Sequence, residues 1–465
     1  MATAPPPPID APGREAGDRM LALLTELFPI CRAKTGAGVR ESLALLADRL
    51  PTGGGEWTMT EVPTGTPILD WEVPPEWNVR DAFLRDPADP PGVRLVDFGE
   101  SNLHVLSGSA PVDRRVSWSE LQGRLRTAPG RPADVPFRTC EPGADWGLCV
   151  SQEQYDELAA RGEREYELRV DATVADGSLT YAEFVLPPTA PAPDGPNEVL
   201  ISTHVCHPSL AHDGVSGIAV ATELARTLVE RPRRRFSYRF LFAPATVGAI
   251  AWLAGNRDCA DRMFGGLTLA CCGDDGPFTL RRSRRGDSPV DRAAAHVLKT
   301  SGEPHEVREF APFGYDQRQF CSPGFDLPVA ALSRTPDGEY PEYHTSADDL
   351  SLVSAAGLAG ALGVCAAVFD VLERDRTCRN LKPFGEPRLG PSGLYAAFGA
   401  DPAGAAAQRA VQWVLNLSDG SRSLLAIAER SGLPFAAVAA AADALLAHGF
   451  LTDDRSADLS LGSHT

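Results

Sequence analysis

The chain has 465 residues, 43% apolar and 23% charged, enough for one large core with one or two smaller modules. Its 62 acidic residues outnumber 44 basic ones, and the formal net charge of −18 excludes a nucleic-acid coat protein and a binder of anionic membranes, both of which need basic faces. No run reaches the ~18–20 consecutive apolar residues of a membrane span. The opening MATAPPPPIDAPGREAG lacks the basic and apolar regions of a secretory signal. The ten cysteines include no CxxC pair, which argues against a zinc ribbon; reduced thiols and a cytoplasmic location are expected.

Residues 1–18, with their proline run, read as a disordered leader. Over 19–50, Leu21, Leu24 and Leu27, then Leu43, Leu46 and Leu50, recur at helical spacing around a polar TGAGVRE turn. Residues 57–185 change character. Short alternating segments (WTMTEV, VRLVDF, LHVLS, YELRVDATV) are broken by Pro, Gly and Asp clusters, and predict a strand-rich module. PPTAPAPDGPN (187–197) leads out of it. The next stretch alternates: strand 198–204, helix 216–230, strand 238–243, helix 248–256, strand 266–273, helix 291–302, strand 327–333 and an alanine-rich helix 354–373. That order predicts an α/β fold, a sheet with helices on both faces and a ligand crevice beyond the strand carboxyl ends. Residues 404–453 predict three helices, with the turn ERSGLP making a helix-turn-helix of winged-helix type. Within 405–465 four basic residues stand against six acidic ones, so packing or dimerisation is expected of this unit in preference to DNA reading.

Chemistry concentrates in four segments. STHVCHPSLAHDGVSG (202–217) ends a buried strand at His204 and follows it with His207, His212 and Asp213; imidazole and carboxylate are donors that suit zinc. TPDGEYPEYHTSADDL (335–350) carries His344, with Glu339 and Glu342 close by and Ser346 placed to cap the next helix. Asp274 and Asp275 follow the strand GLTLACCG. YDQRQFCSPG (315–324) groups Tyr315, Asp316 and Arg318; Arg318 suits a carboxylate or a carbonyl, and Asp316 could orient a ligand histidine from behind.

The order of these segments resembles the zinc aminopeptidases of the co-catalytic two-metal type. More narrowly, VPTGTPILDWEVP, SNLHV, GSLTYAEF, ISTHVCHPSLAHDGVSGI, SRRG, FGYDQRQFCSPGF and RTPDGEYPEYHTSADDL resemble one bacterial family of aminopeptidase-like proteins, from about residue 20 onward. The resemblance implies a zinc aminopeptidase-like mixed sheet over 19–56 and 186–385, an inserted β-rich domain over 57–185 and a winged-helix-like domain over 386–465. It implies metal ligation by His204, by Asp213 as the bridging aspartate, by Asp274 on the metal of the first histidine and by His344 on the other metal. His207 substitutes for His204 if the loop turns differently, and Asp316 matches a structural aspartate beside a histidine.

One departure matters. The two-zinc peptidases carry adjacent glutamates after a central strand, one a base and one a ligand. Here the phrase is PATVGA (244–249), and Ala245 stands where the closer family keeps a glutamate. This points to a single zinc on His204 or His207, Asp213 and His344, with a second ion possible; three protein ligands and an open position are the pattern of a catalytic zinc. Glu339, Glu342 or Glu183 would move the proton, Glu342 being favoured because it alternates onto the face of His344. Tyr315 and Arg318 complete the catalytic candidates. The expected function is a zinc-dependent hydrolase of amide bonds, an aminopeptidase or aminoacyl-amide hydrolase acting on small peptides or an aminoacylated metabolite. A homo-oligomer with no nucleic-acid or membrane partner is expected. The alternative is a non-hydrolytic metal-binding or scaffold protein that has lost its glutamate at Ala245; a DNA-binding regulator comes third.

Overall fold

The computed structural model describes residues 13–51, 53–392, 394 and 402–453. Eight strands build the main sheet: β1 (Glu56–Pro63), β2 (Ser178–Leu186), β3 (Glu198–His204), β4 (Ser237–Ala243), β5 (Met263–Leu269), β6 (Phe278–Arg281), β7 (His305–Arg308) and β8 (Val329–Ser333). Their spatial order is β1-β2-β4-β3-β5-β8-β6-β7. The four central strands β4, β3, β5 and β8 are parallel, and antiparallel pairs flank them. β3 is buried at every position, as a central parallel strand covered on both faces must be.

The two-residue alternation of β3 divides two cores. Val199 and Ile201 point into a core shared with the helices Arg14–Leu27, Ser216–Glu230, Pro289–Ser301 and Ala355–Arg374. Leu200 points to the opposite face, where Val247–Gly255 packs with Trp252. The helix Ala355–Arg374 is long and apolar enough to cross a membrane by length and composition, with a mean hydropathy of 2.0. In the fold it packs on Arg14–Leu27, Ser216–Glu230 and Pro289–Ser301.

Three expected boundaries move. The first and last segments of the expected insert 57–185 are β1 and β2, which pair with each other and, through β2, with β4. The insertion proper therefore lies between them. Alternation marks a strand but not its partner, so the sheet to which WTMTEV and SLTYAEF belong is decided by pairing alone. The inserted unit has a four-stranded antiparallel sheet (Val96–Asp97, Glu76–Arg85, Glu165–Ala175, Val112–Ser117) over its own core of Trp77, Trp118 and Tyr166. LHVLS in it is a 3-10 turn followed by isolated β-bridges at Val105 and Ser107, not a continuous strand. The expected leader 1–18 lies outside the described residues up to 12, and a helix already starts at Arg14. The winged-helix sheet begins with Thr377–Asn380, which pairs Asp419–Ser423 and Leu451–Asp453. That unit therefore starts ahead of residue 386. The final expected residues, 454–465, lie outside the described ones.

Candidate metal centre

The parallel register sets His204 beside Ala243, at the carboxyl ends of β3 and β4. The loops after β3, β4, β5 and β8 therefore open on one side of the sheet, as open α/β sheets require for a ligand crevice. After β3 the chain returns through a π-helical turn, Ala211–Val215, into the helix Ser216–Glu230. Gly217 lets that helix press on the end of β5: a Cβ there would stand 2.4 Å from the Leu269 carbonyl oxygen. Asp348 holds the turn. It accepts the backbone N–H of His212 at 2.6 Å and of Asp213 at 3.1 Å, and the Tyr340 hydroxyl at 2.9 Å.

Asp213 is thereby fixed among three imidazoles. His344 Nε2 lies 3.1 Å from its Oδ2, His207 Nε2 3.7 Å from the same oxygen, and His204 Nε2 3.7 Å from Oδ1. Ligand atoms of His204, His207 and Asp213 all fall within 4.8 Å of one another. His204 Nε2 is buried and has no hydrogen-bond partner. Burial would raise the Asp213 carboxyl, but His207, His344 and His204 outweigh it and hold it well below the usual carboxylate range. Burial pushes His207 down to about 3 against the pull of Asp213, and lowers His204 in the same way. His204 and His207 thus stand as neutral imidazoles beside a carboxylate, the donor state that zinc requires, and the orphaned His204 nitrogen fits a cation at this place.

The insert closes the site from above. The Phe137 ring stands edge-on to His207 at 5.3 Å and to His344 at 5.1 Å, and its backbone N–H donates to the His344 carbonyl at 2.7 Å. Ser346 exchanges hydrogen bonds with Val135 of the insert, so it does not cap the next helix; Ser354 does. These contacts hold His344 in the left-handed region at φ 55°, which is unusual for a non-glycine residue. A cavity of about 190 Å³ lies between the two units, lined by His207, His344, Cys206 and Ala245 on one side and by Trp77, Phe137 and Thr139 on the other. Ala245 offers that wall a methyl group where a carboxylate was expected.

Other expected residues are engaged elsewhere. Asp274 accepts the Thr335 N–H at 3.4 Å and lies 3.7 Å from His212 Nε2, and among the described residues no contact of its side chain with Asp213 is seen. His212 itself is saturated, with Nδ1 taking the Gly273 N–H and Nε2 bonded to the Thr335 carbonyl. Glu342 pairs with Arg131 of the insert at 3.5 Å. Glu339 pairs with Arg308, 2.9 Å at the longer contact. Glu183 is held by Arg239 at 2.6 Å and by the Trp252 indole at 2.7 Å. All three expected bases are thus neutralised by partners distant in sequence.

Tyr315 is buried. It donates to Cys271 Sγ at 3.0 Å, accepts the Asp337 N–H at 2.8 Å and lies parallel to His204, so its hydroxyl supports the site and is not free for substrate. Arg318 reaches Thr246 Oγ1 at 3.5 Å, beside Ala245, with Nε unpartnered. Asp316 is buried with Oδ1 unpartnered; burial raises its carboxyl to about 7, opposed by Arg318. The charge it faces is thus a guanidinium instead of a ligand histidine.

Three residues escaped the sequence reading: Asp348, Asp337 and Cys271. Asp348 and Asp337 lie in the same loop as His344, where several carboxylates compete and spacing cannot rank them. Asp337 has Oδ1 buried and unpartnered; burial raises its carboxyl, Arg281 opposes this and Asp213 adds to it.

The family model described as "Domain of unknown function (DUF4910)" matches residues 21–375, and a winged helix-turn-helix model matches 376–453. A Clostridium acetobutylicum protein named "Putative polysaccharide biosynthesis protein with aminopeptidase-like domain" is 39% identical over 431 residues, 93% of this chain and 95% of that one. A crystal structure of a "putative peptidase" from Clostridium acetobutylicum superposes with a TM-score of 0.85 at 38% identity, covering 95% of this chain and 97% of that chain. A zinc aminopeptidase from Bacillus subtilis has a TM-score of 0.54 at 15% identity, covering 77% of this chain and 95% of that chain, a likeness of fold. Matched over most of its length by the first model and at its carboxyl end by the second, the chain belongs to the aminopeptidase-like DUF4910 family and carries a C-terminal winged helix.

Proposed function

We propose that this protein is a zinc-dependent hydrolase of amide bonds, acting on small peptides or an aminoacylated metabolite. The observation that carries the reading is Asp213 held as a carboxylate among His204, His207 and His344, two of which, His207 and His344, line a cavity. These four residues would supply the zinc ligands. When bound, zinc polarises a carbonyl and lowers the pKa of water to about 7.

The protein's own groups supply the rest. Asp337, with its unpartnered buried oxygen, moves the proton that the expected glutamates cannot reach. Arg318, with a free Nε beside Thr246, binds the substrate carbonyl or carboxylate. Tyr315 and Tyr343 brace His204 and His344; the Tyr343 ring stacks on His344 at 4.0 Å. A cavity of about 190 Å³ suits one aminoacyl group, being smaller than the ~300–1,000 Å³ of sites for larger ligands. The winged helix is proposed as a packing unit that binds no nucleic acid, in a cytoplasmic homo-oligomer without a membrane partner.

The test is zinc content measured alongside turnover of aminoacyl-nitroanilides. Bound zinc with turnover supports the proposal. Bound zinc without turnover on any aminoacyl amide favours the second reading, a non-hydrolytic metal-binding protein, for which Ala245 stands. A protein that takes up no zinc overturns both.

A further inference from the structure

Asp213 presents its two oxygens to different donors. Oδ2 faces His344 and His207, at 3.1 and 3.7 Å. Oδ1 faces His204 Nε2 at 3.7 Å and Cys271 Sγ at 3.9 Å. Neither Oδ1 contact is a good hydrogen bond. Both lie close to the separation of two ligands on one zinc: with zinc–sulfur about 2.3 Å and zinc–nitrogen or –oxygen about 2.0–2.2 Å, donors at tetrahedral angles stand roughly 3.3–3.7 Å apart, and an angle opened to about 125° spans the 3.9 Å of Cys271.

Two further observations single out this cysteine. His204 Nε2, in a side chain 5% exposed, has no partner and lies against the same oxygen. Cys271 is fully buried, directly after β5, and its sulfur accepts the Tyr315 hydroxyl at 3.0 Å, the kind of outer hydrogen bond that supports a metal ligand. The neighbouring sulfurs are used otherwise: Cys206 takes the Ala245 N–H at 3.3 Å, and Cys272 donates to the Ala270 carbonyl at 3.4 Å.

We infer that Cys271 is a zinc ligand, sharing with His204 and Asp213 Oδ1 a cation position distinct from the one that His207 and His344 flank on Oδ2. On binding, the S–H bond breaks, the sulfur bonds the metal as thiolate and the proton passes to solvent. The thiolate replaces the carboxylates lost at Ala245 and turned away at Asp274. The inference rests on the zinc reading proposed above and adds a donor to it.

X-ray absorption at the zinc edge of the zinc-loaded full chain tests it without any variant. A sulfur neighbour at about 2.3 Å beside nitrogen and oxygen is expected; a shell of nitrogen and oxygen alone overturns the inference. In the cobalt-substituted protein a near-ultraviolet thiolate-to-cobalt band should be present in the wild type and in Cys206→Ser and absent in Cys271→Ser, whose zinc affinity in chelator competition should fall at least ~10-fold. A band that survives Cys271→Ser overturns it. Uptake of neither zinc nor cobalt overturns the zinc reading itself, an outcome distinct from uptake on nitrogen and oxygen alone.

Discussion

The crevice at the strand ends and the junction with the winged helix both bury charge, but they balance it differently. At the junction buried arginines meet carboxylates of the same chain. Arg374 pairs with Asp370 at 3.2 Å and Asp443 at 3.0 Å, Arg231 pairs with Asp370 at 3.2 Å, and Arg292 reaches Glu429 at 3.1 Å. In the crevice Asp213 faces the neutral imidazoles of His204 and His207, and His204 Nε2 has no partner among the described residues. Buried polar groups are costly when unmatched, so a donor set with no internal cation is complementary to an external one. The junction pairs its arginines with its own acids; the crevice leaves its donors facing one another.

The comparison breaks first at Asp213. Asp213→Ala should cost at least ~100-fold in zinc affinity, more than the loss of an outer partner, and should abolish hydrolysis. Full zinc by elemental analysis in that variant would show that the crevice is not a metal site. Asp337→Asn should keep zinc and lower kcat by ~10²–10⁴, the usual share of general acid–base catalysis; an unchanged kcat would return the proton-moving role to another group.

At the junction, Asp443→Ala removes the carboxylate paired with Arg376 and leaves Arg374 with Asp370 alone, the Arg374 and Arg376 side chains being 4% and 6% exposed. Breaking a fully buried pair costs ~3–5 kcal/mol; with Asp443 itself 30% exposed, about 2 kcal/mol by denaturant titration is expected, with zinc content unchanged. A loss of zinc in this variant would mean that the two regions are coupled.

The smallest effect concerns pH. Burial lowers the pKa of His296 at the junction, with Glu429 opposing; its Nε2 bonds the Leu433 carbonyl at 3.1 Å. The unfolded chain takes up this proton near its ordinary pKa of about 6.5 while the folded chain still refuses it. The contribution of His296 is therefore complete above about pH 6.5 and is lost as pH falls through the lower folded value. His296→Gln should flatten that part of the stability profile, and an identical slope in the variant would exclude His296 as its source.

The same contrast governs what could be read from the residues. EVLISTH could be placed as a central strand because its apolar run is local, and His204, Asp213 and His344 could be singled out because imidazole and carboxylate at strand ends carry their chemistry with them. Glu342 and Glu339 misled because Arg131 and Arg308, which capture them, lie 211 and 31 residues away. Asp274 misled because the chain turns at Cys271, three residues earlier, in the left-handed region at φ 47°. The insert boundary misled because β1 and β2 alternate as any strand does.

The sequence by itself determined the strand and helix order, the crevice at the carboxyl ends and the donor types available, since periodicity and residue chemistry act over a few positions. Only the tertiary structure decided which carboxylates are neutralised, that Phe137 of the insert closes over His207 and His344, and that Cys271 faces Asp213. Those outcomes depend on burial and charge pairing between segments far apart along the chain, which no local pattern encodes.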